Sequence, residues 1–178
     1  SLLSNILDGK ANFSKNLKKA KNPMIIIGDG ALIRPDSDAI LSLVHEIVKK
    51  YNIVRPNWNG FNILHNHASM VSALDLGFYY GKSGGGTTDI LKQSREEKVK
   101  IIYLLGADDF DLDLIGKDCF VIYQGHHGDK AAAIADVILP EAAYTEQDGI
   151  FANMEGRLQY ARRAVNTLGL AKESCDII

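Results

Sequence analysis

Cysteine is scarce in this chain. Its 178 residues include only Cys119 and Cys175, which lie far apart and form no Cys-x-x-Cys pair. An iron–sulfur cluster needs four thiolate ligands, so this stretch cannot supply a complete set by itself. The low cysteine content also indicates a reducing compartment and excludes a disulfide framework.

Long apolar runs and an excess of charge are lacking as well. The longest aliphatic stretches have the length of a β-strand, whereas a transmembrane helix needs about 20 apolar residues. We therefore expect no direct membrane insertion. A formal net charge of −2 and a pI near 6.2 provide no attraction for nucleic acid, so no nucleic-acid partner is expected.

Apolar residues are instead arranged as strands that alternate with helices. The runs "MIIIGDG", "VKIIYLLG", "CFVIYQG" and "ADVILP" are typical of buried parallel strands, and "GIFANM" and "RLQYARR" predict two short irregular strands. Helical spacing appears in four segments, residues 12–20, 35–52, 64–76 and 87–98. Thr87 or Thr88 is predicted to cap the last of them, and Asp129 a short helix after "QGHH". The pattern predicts an α/β fold, with a mainly parallel sheet and helices on both faces.

The two ends of the chain suggest a larger protein. Residues 1–22 are interpreted as a linker with an N-terminal helix, and residues 23–178 as a single α/β domain. The last residues, "GLAKESCDII", indicate a loop, a capping Ser174 and the first turn of a helix. We therefore expect a domain that is truncated at its C-terminus.

Two glycine-containing stretches resemble phosphate loops without matching them. "GDGALI" brings Gly28 and Gly30 after the first strand, but the dinucleotide fingerprint needs a third glycine where Ile33 stands. "GKS" at residues 81–83 lacks the glycine that a phosphate loop carries five residues earlier, where Leu76 stands. The first stretch is interpreted as a tight turn between strand and helix, and the second as a flexible loop.

Acidic and histidine residues form no complete metal site. Asp109, Asp111 and Asp113 occupy the first, third and fifth positions of a calcium loop, but Leu114 and Phe120 replace the required glycine and glutamate. Two close histidine pairs, at 65/67 and 126/127, have no cysteine or carboxylate at zinc spacing. No serine, histidine and acidic residue are spaced as a nucleophilic triad. We expect neither a catalytic residue nor a metal ligand.

The stretch "ADVILPEAAYTEQDGIFANMEGRLQ" resembles a segment of the molybdopterin oxidoreductase superfamily. Within that superfamily it is most similar to the large iron–sulfur subunits of respiratory complex I. The segments "NPMIIIGDGAL", "FNILHNHASMVSALDLGF", "IIYLLGAD" and "CFVIYQGHHGD" resemble the same subunits in the same order. The resemblance therefore covers about residues 12–178.

This resemblance implies a role in NADH–quinone electron transfer for the full protein. Its iron–sulfur clusters would lie in an N-terminal part outside this chain, and its partners would be other peripheral-arm subunits and the rest of its own polypeptide. The implied location is peripheral, on the cytoplasmic face of a bacterial inner membrane or the matrix side of a mitochondrion. This chain itself is expected to hold no cofactor, to lack catalytic activity alone and to act as a scaffold.

One departure from the superfamily concerns the cofactor. Molybdenum enzymes commonly have Gly-x-Asn-Pro after a central strand, whereas residues 106–109 here are Gly-Ala-Asp-Asp, whose carboxylates would repel a pyrophosphate. We interpret Gly28, Gly30, Gly106 and Asp108 as remains of a cofactor pocket. Two alternatives stay open. One is a pterin guanine dinucleotide-binding domain of a molybdenum or tungsten oxidoreductase such as a formate dehydrogenase. The other, based on "LKKAKNPMIIIGDGA", is the central domain of a thiamine-diphosphate enzyme.

Polar residues concentrate in the segment 145–157, "TEQDGIFANMEGR". We interpret this segment as an architectural crossover: Pro140 ends the last buried strand, a turn braced by Thr145 and Glu146 follows, and Gly149 permits a backbone reversal. The side chains of Asn153, Glu155 and Arg157 are expected to hydrogen-bond one another and the loop backbone. The structural motif comprises Glu146, Gly149, Asn153, Glu155, Gly156 and Arg157.

Overall fold

A computed structural model of the chain describes residues 1–79, 85–128 and 130–178. The chain divides into two compact units. The first consists of Ser1–Asp75 and Ala152–Leu158, and the second of Leu76–Phe151 and Gln159–Ile178. Among the described residues, no helix is long and apolar enough to cross a bilayer. The assignment of residues 23–178 to one domain stays a prediction.

The first unit is built mainly from four helices and one parallel strand pair among the described residues. Its helices and strands are α1 (Leu2–Asp8), α2 (Asn12–Lys19), β1 (Ile25–Gly28), α3 (Ser37–Lys50), β2 (Val54–Arg55), β3 (Trp58–Asn59), β4 (Phe61–Leu64) and α4 (Met70–Asp75). Strand β1 pairs with β4 in parallel, and the short strands β2 and β3 pair antiparallel. The core residues of this unit are Ile27, Val44, Ile47, Val48 and Ile53.

Helix α3 covers the strand pair because its apolar residues recur at intervals of three and four. Val44, Ile47 and Val48 are buried, and they pack in one cluster with Ile27 of β1. Asp38 in the first turn and Lys50 in the last turn complement the helix dipole. This arrangement positions the loop that leaves β1 at Gly28.

The second unit contains a three-stranded parallel sheet. Its elements are α5 (Thr87–Arg95), β5 (Ile101–Leu105), β6 (Phe120–Gly125), α6 (Lys130–Ile134), β7 (Val137–Pro140) and α7 (Ser174–Ile177). Strands β8 (Gly149–Ala152) and β9 (Leu158–Ala161) form a separate two-stranded sheet.

The sheet of the second unit has the order β5-β6-β7 and buries one of its faces. Burial alternates along β5: Ile102 and Leu104 are buried, while Ile101, Tyr103 and Leu105 are exposed. The buried face packs into the core of the unit. That core comprises Ile102, Leu104, Cys119, Val121, Tyr123 and Ala131.

The α/β class with mainly parallel strands is confirmed, as are the helices at α2 and α3. The helix expected from residue 64 begins at Met70, because Leu64 ends β4 and pairs with Gly28 of β1. The expected threonine cap is wrong: Gly86 is the N-cap residue of α5, and no side chain accepts a bond there.

The last helix also differs from expectation at its N-terminus. Its N-cap residue is Glu173, and Ser174 is its first residue. The residues of "GKS" and the predicted cap Asp129 lie outside the described residues.

Candidate functional site

The chain leaves the sheet at Gly106, directly after β5. Gly106 has a φ of 58°, a left-handed conformation in which side chains other than glycine are strained. Its amide donates a hydrogen bond to the carbonyl of Gln124 in β6 at 2.8 Å. Ala107 and Asp108 follow half-buried, so this glycine directs two further residues onto the carboxyl edge of the sheet.

That edge is acidic and borders an apolar groove. The groove, about 650 Å³ in volume, is lined by residues of α5, β5 and the following loop, among them Thr87, Tyr103, Asp109 and Phe110. Asp109 is its only charged lining residue among the described positions, and no lysine or arginine lines it. An anionic ligand would therefore meet a carboxylate without a compensating cation.

Asp111 of the same loop has a local structural role. The Asp111 carboxylate accepts a hydrogen bond from the amide of Asp113 at 3.2 Å and caps the 3₁₀ turn Leu112–Leu114. Within the described residues, no group of three histidine, cysteine or acidic side chains is arranged to hold a metal ion. His126 and His127 contact each other edge-to-face, with ring centroids 4.5 Å apart.

Gly28 and Gly30 belong to the first unit, and Gly106 and Asp108 belong to the second. Gly28 ends β1, and Gly30 lies in a 3₁₀ turn, Asp29–Ala31. The carboxylate in this turn, that of Asp29, accepts a bond from the amide of residue 66 at 3.4 Å. A Cβ at either glycine would meet no atom within 4 Å, so neither position is a close backbone contact within the chain. Their participation in one former pocket stays a prediction.

The first half of the segment 145–157 forms a braced turn after β7. The Glu146 carboxylate accepts a hydrogen bond from the Ala143 amide at 3.0 Å, and the Glu146 amide donates to the Ala143 carbonyl at 2.8 Å. This reciprocal pair resembles a capping box. The carbonyl of Thr145 also accepts from the amides of Ala164 and Val165, which ties the turn to the chain after β9.

The neighbouring side chains tie the turn to the C-terminal helix. The Gln147 side chain donates to the carbonyl of Ala142 at 3.2 Å and accepts from the Ser174 amide at 3.2 Å. The Ser174 hydroxyl also donates to the carboxylate of Glu141. The polar residues around this turn therefore satisfy backbone groups of three separate chain segments.

Asp148 connects the turn to β9 from a solvent-exposed position. Its carboxylate accepts a hydrogen bond from the Arg163 amide at 2.8 Å. The hydrogen bond from that amide is the main cause that lowers the pKa of Asp148, and the hydrogen bond from the Tyr160 hydroxyl is the second. The same hydroxyl–carboxylate hydrogen bond raises the pKa of Tyr160. Because both groups are exposed, the pair orients two side chains but has little electrostatic weight.

The second half of the segment is a tight turn built around Asn153. Its side-chain oxygen accepts hydrogen bonds from the amides of Glu155 and Arg157, each at 3.0 Å. Its backbone amide donates to the Arg157 carbonyl at 3.0 Å, and its carbonyl accepts from the Gly156 amide at 2.9 Å. Gly156 has a φ of 76°, whereas Gly149 has no positive φ. The reversal expected at Gly149 is therefore made at Gly156, between β8 and β9.

The side chains of Glu155 and Arg157 are exposed, and neither has a hydrogen bond or ion pair among the described residues. The expected mutual bonding of these side chains with Asn153 is wrong: only the Asn153 side chain takes part, and its partners are backbone amides. The segment 145–157 thus contains two separate short turns, and the side chains of Glu146 and Asn153 each bond to the backbone of their own turn; the structural motif as a whole stays a prediction.

Two positions with structural roles were missed by sequence reasoning. Gln124 is fully buried in β6, the Tyr103 hydroxyl donates to its Oε1, and its Nε2 has no partner among the described residues. A lone glutamine inside an apolar strand run was the available signal. Ser94, buried in α5, donates to the Leu91 carbonyl at 2.7 Å and accepts from the Gly116 amide at 3.0 Å. No local pattern marks that contact, because its partners are 22 residues apart.

Curated relatives match this chain along nearly its whole length. A protein of Rickettsia prowazekii, whose name describes a subunit of NADH-quinone oxidoreductase, is 51% identical over 177 residues, which is 99% of this chain and 24% of that protein. A potato protein named NADH dehydrogenase [ubiquinone] iron-sulfur protein 1, mitochondrial, is 44% identical over 99% of this chain and 22% of its own length. A Reclinomonas americana protein named NADH-ubiquinone oxidoreductase 75 kDa subunit is 45% identical over 100% of this chain and 25% of its own.

The chain therefore spans about a quarter of the length of the curated relatives it matches. The predicted resemblance to the large subunits of complex I is confirmed by these identities. The family model described as molybdopterin oxidoreductase matches residues 1–178, the whole chain. The parallel strand pairs of the two units are consistent with that family. This chain therefore belongs to the molybdopterin oxidoreductase family, as the match over its full length shows.

Proposed function

We propose that this chain is a scaffold part of the large iron–sulfur subunit of an NADH–quinone oxidoreductase. The observation that carries the proposal is 51% identity, over 99% of the chain, to a protein whose name describes a subunit of that enzyme. The full protein passes electrons from NADH toward quinone through iron–sulfur clusters. Those clusters lie in parts of the polypeptide outside residues 1–178, since this stretch contains two cysteines only.

A structural role is supported by what the polar residues do. In the segment 145–157, the hydrogen bonds of Glu146 and Asn153 go to backbone amides of their own turns. Buried polar side chains elsewhere, such as Ser94, also bond to backbone. These bonds satisfy backbone groups that the turns leave open, which is a structural role for the side chains that make them.

A second candidate function follows from the family itself, namely binding of a pterin guanine dinucleotide. The residues of the carboxyl edge of β5 do not fit that group. Asp108 and Asp109 carry negative charge where the pyrophosphate would need donors, and the groove beside them has no basic lining residue among the described positions. We therefore propose that this chain holds no pterin cofactor and no metal.

Elemental analysis of the assembled, full-length protein tests both candidates. Iron content serves as the internal control, because it shows that the cluster-bearing part is intact. We expect iron in stoichiometric amount. Molybdenum and tungsten should be at background level, and oxidative extraction should release no fluorescent pterin. One molybdenum or tungsten per protein, together with a pterin, would refute the scaffold proposal and establish the second candidate.

We also propose a location and partners for the assembled protein. It would sit peripherally on the cytoplasmic face of a bacterial inner membrane, or the matrix side in a mitochondrion, bound to other peripheral-arm subunits. We expect it to copurify with an NADH-oxidising, membrane-associated complex. Recovery of the full-length protein as a free monomer in the soluble fraction would contradict this proposal.

A further inference from the structure

Lysines are concentrated at the start of the first unit. Residues 9–28 contain five lysines and no aspartate or glutamate, although the chain as a whole has a net charge of −2. Three of these lysines, Lys15, Lys18 and Lys19, lie in α2. The local charge is therefore opposite in sign to the charge of the whole chain.

The three lysines of α2 occupy the exposed side of the helix. Ser14 and Leu17 are the buried residues of α2 and hold the helix in its unit, and Lys18, four residues after Ser14, lies next to it at the margin of the buried side. Residues three and four apart are neighbours on a helix surface, so Lys15 lies next to both Lys18 and Lys19. Like charges at this spacing destabilise a helix. Lys18 and Lys19 in the last turn complement the helix dipole, but the repulsion among the three lysines is not relieved within α2.

Carboxylates within the chain leave this charge uncompensated. Lys10 pairs with Asp8 at 2.9 Å, but across the described residues no carboxylate lies within 4.0 Å of the ammonium groups of Lys15, Lys18 or Lys19. Five further ion pairs occur elsewhere in the described part of the chain, so paired charges are common in this protein. The lysines of α2 are available to carboxylates from outside.

A fourth lysine adds to this surface from another helix. Lys15 and Lys18 line a groove of about 370 Å³ together with Lys50 and Tyr51 at the end of α3. The Tyr51 hydroxyl donates to the carbonyl of Ile6 at 2.7 Å, and the Lys50 ammonium donates to a carbonyl of α1. These bonds hold the end of α3 against α1, so the groove is a fixed feature of the first unit.

We propose that this lysine groove docks an acidic segment of a neighbouring polypeptide. The shape of the charge favours a row of carboxylates over one compact anion. The groove lysines Lys15 and Lys18 belong to α2 and the third, Lys50, belongs to α3, so the positive charges are spread over two helices. The described lining of the groove contains no arginine, so it lacks the bidentate fork that grips one phosphate, and its lysines act as separate point charges. The proposal requires only that the chain assembles with another polypeptide, whichever complex that is.

Zero-length carbodiimide cross-linking of the assembled, native complex tests the proposal directly, because it joins lysines only to carboxylates in contact. We expect Lys15 or Lys18 to be linked to an aspartate or glutamate of another subunit. Lys117 and Lys130, which are exposed in the second unit, serve as controls with a lower yield. The proposal would be overturned if Lys15 and Lys18 were linked only to residues of their own full-length polypeptide, or if neither lysine were linked.

A charge-reversal pair provides the second measurement. In the full-length protein, Lys15→Glu with Lys18→Glu should weaken binding of a glutamate-rich peptide about tenfold at low salt, and added salt should abolish the difference. Lys117→Glu with Lys130→Glu changes the net charge equally and should have less than about a twofold effect. Equal losses in the two variants would overturn the proposal. So would binding of anionic vesicles or of duplex DNA in preference to the peptide. A thermal melt of each variant confirms that it is folded.

Discussion

Replacement of Asn153 by alanine tests whether the segment 145–157 is a structural brace. The side-chain oxygen of Asn153 accepts from two amides, those of Glu155 and Arg157, at 3.0 Å each. A net hydrogen bond contributes about 0.5–1.5 kcal/mol. Because Asn153 is half-buried, water replaces part of that loss, and we expect the turn to be destabilised by about 1–2 kcal/mol.

Hydrogen exchange measures this loss where it occurs. A destabilisation of 1–2 kcal/mol corresponds to a factor of about 5 to 30, so the amides of Glu155 and Arg157 should exchange faster by that factor in Asn153→Ala. The amide of Ile102 in the central sheet should be unaffected. Arg157→Ala is the matched control, since its guanidinium has no hydrogen bond or ion pair among the described residues.

Gly156→Ala tests the same turn by a different route. At a φ of 76° an alanine costs about 1–2 kcal/mol relative to glycine. Because Asn153→Ala and Gly156→Ala act on one turn, their effects should not add in the double variant. Unchanged exchange in Asn153→Ala, or an equal acceleration in Arg157→Ala, would refute the reasoning. Loss of electron transfer in assembled Arg157→Ala without any change in exchange or melting would indicate a functional role instead.

Two further predictions concern the second unit. Ser94→Ala leaves the Gly116 amide without its acceptor in a buried position, so the free energy of unfolding should fall by about 1–3 kcal/mol. A urea titration measures this change. As a control, Ser42→Ala on the exposed side of α3 should leave the free energy of unfolding nearly unchanged. The pKa of the Cys119 thiol is raised, mainly by burial and secondly by the negative charge of the Asp136 carboxylate. Its thiolate fraction at pH 8 is therefore reduced, and iodoacetamide should label the exposed Cys175 first, with Cys119 reacting faster as pH rises. Equal labelling rates at pH 8 would contradict this.

Several elements of the fold follow from local pattern. The spacing of Val44, Ile47 and Val48 predicts α3, and the short apolar runs predict β1 and β5 to β7. Both the helix period and the strand period are properties of adjacent residues, so they can be read without knowledge of the partners. The family resemblance of residues 145–157 is likewise apparent from the amino-acid sequence alone.

Other features depend on groups that meet only after folding. The spacing of the apolar residues after position 64 also fits a helix. Leu64 nevertheless belongs to a strand, because β4 pairs in parallel with β1. Gly149 and Gly156 are equally plausible turn residues in the sequence, but pairing of β8 with β9 puts the positive φ at Gly156. Tertiary context thus overrides local preference where two conformations are close in energy.

The candidate site shows the same division. The sequence by itself determined which residues are polar, that residues 106–109 carry two carboxylates, and that residues 9–28 are rich in lysine without acid. Only the tertiary structure decided that the Asn153 side chain bonds to backbone amides, that Glu155 and Arg157 do not bond to it, and that Lys50 joins the lysines of α2. The physical reason is that composition is carried by each residue, whereas a hydrogen bond or a charge cluster requires two chain segments to be brought within a few ångströms of each other.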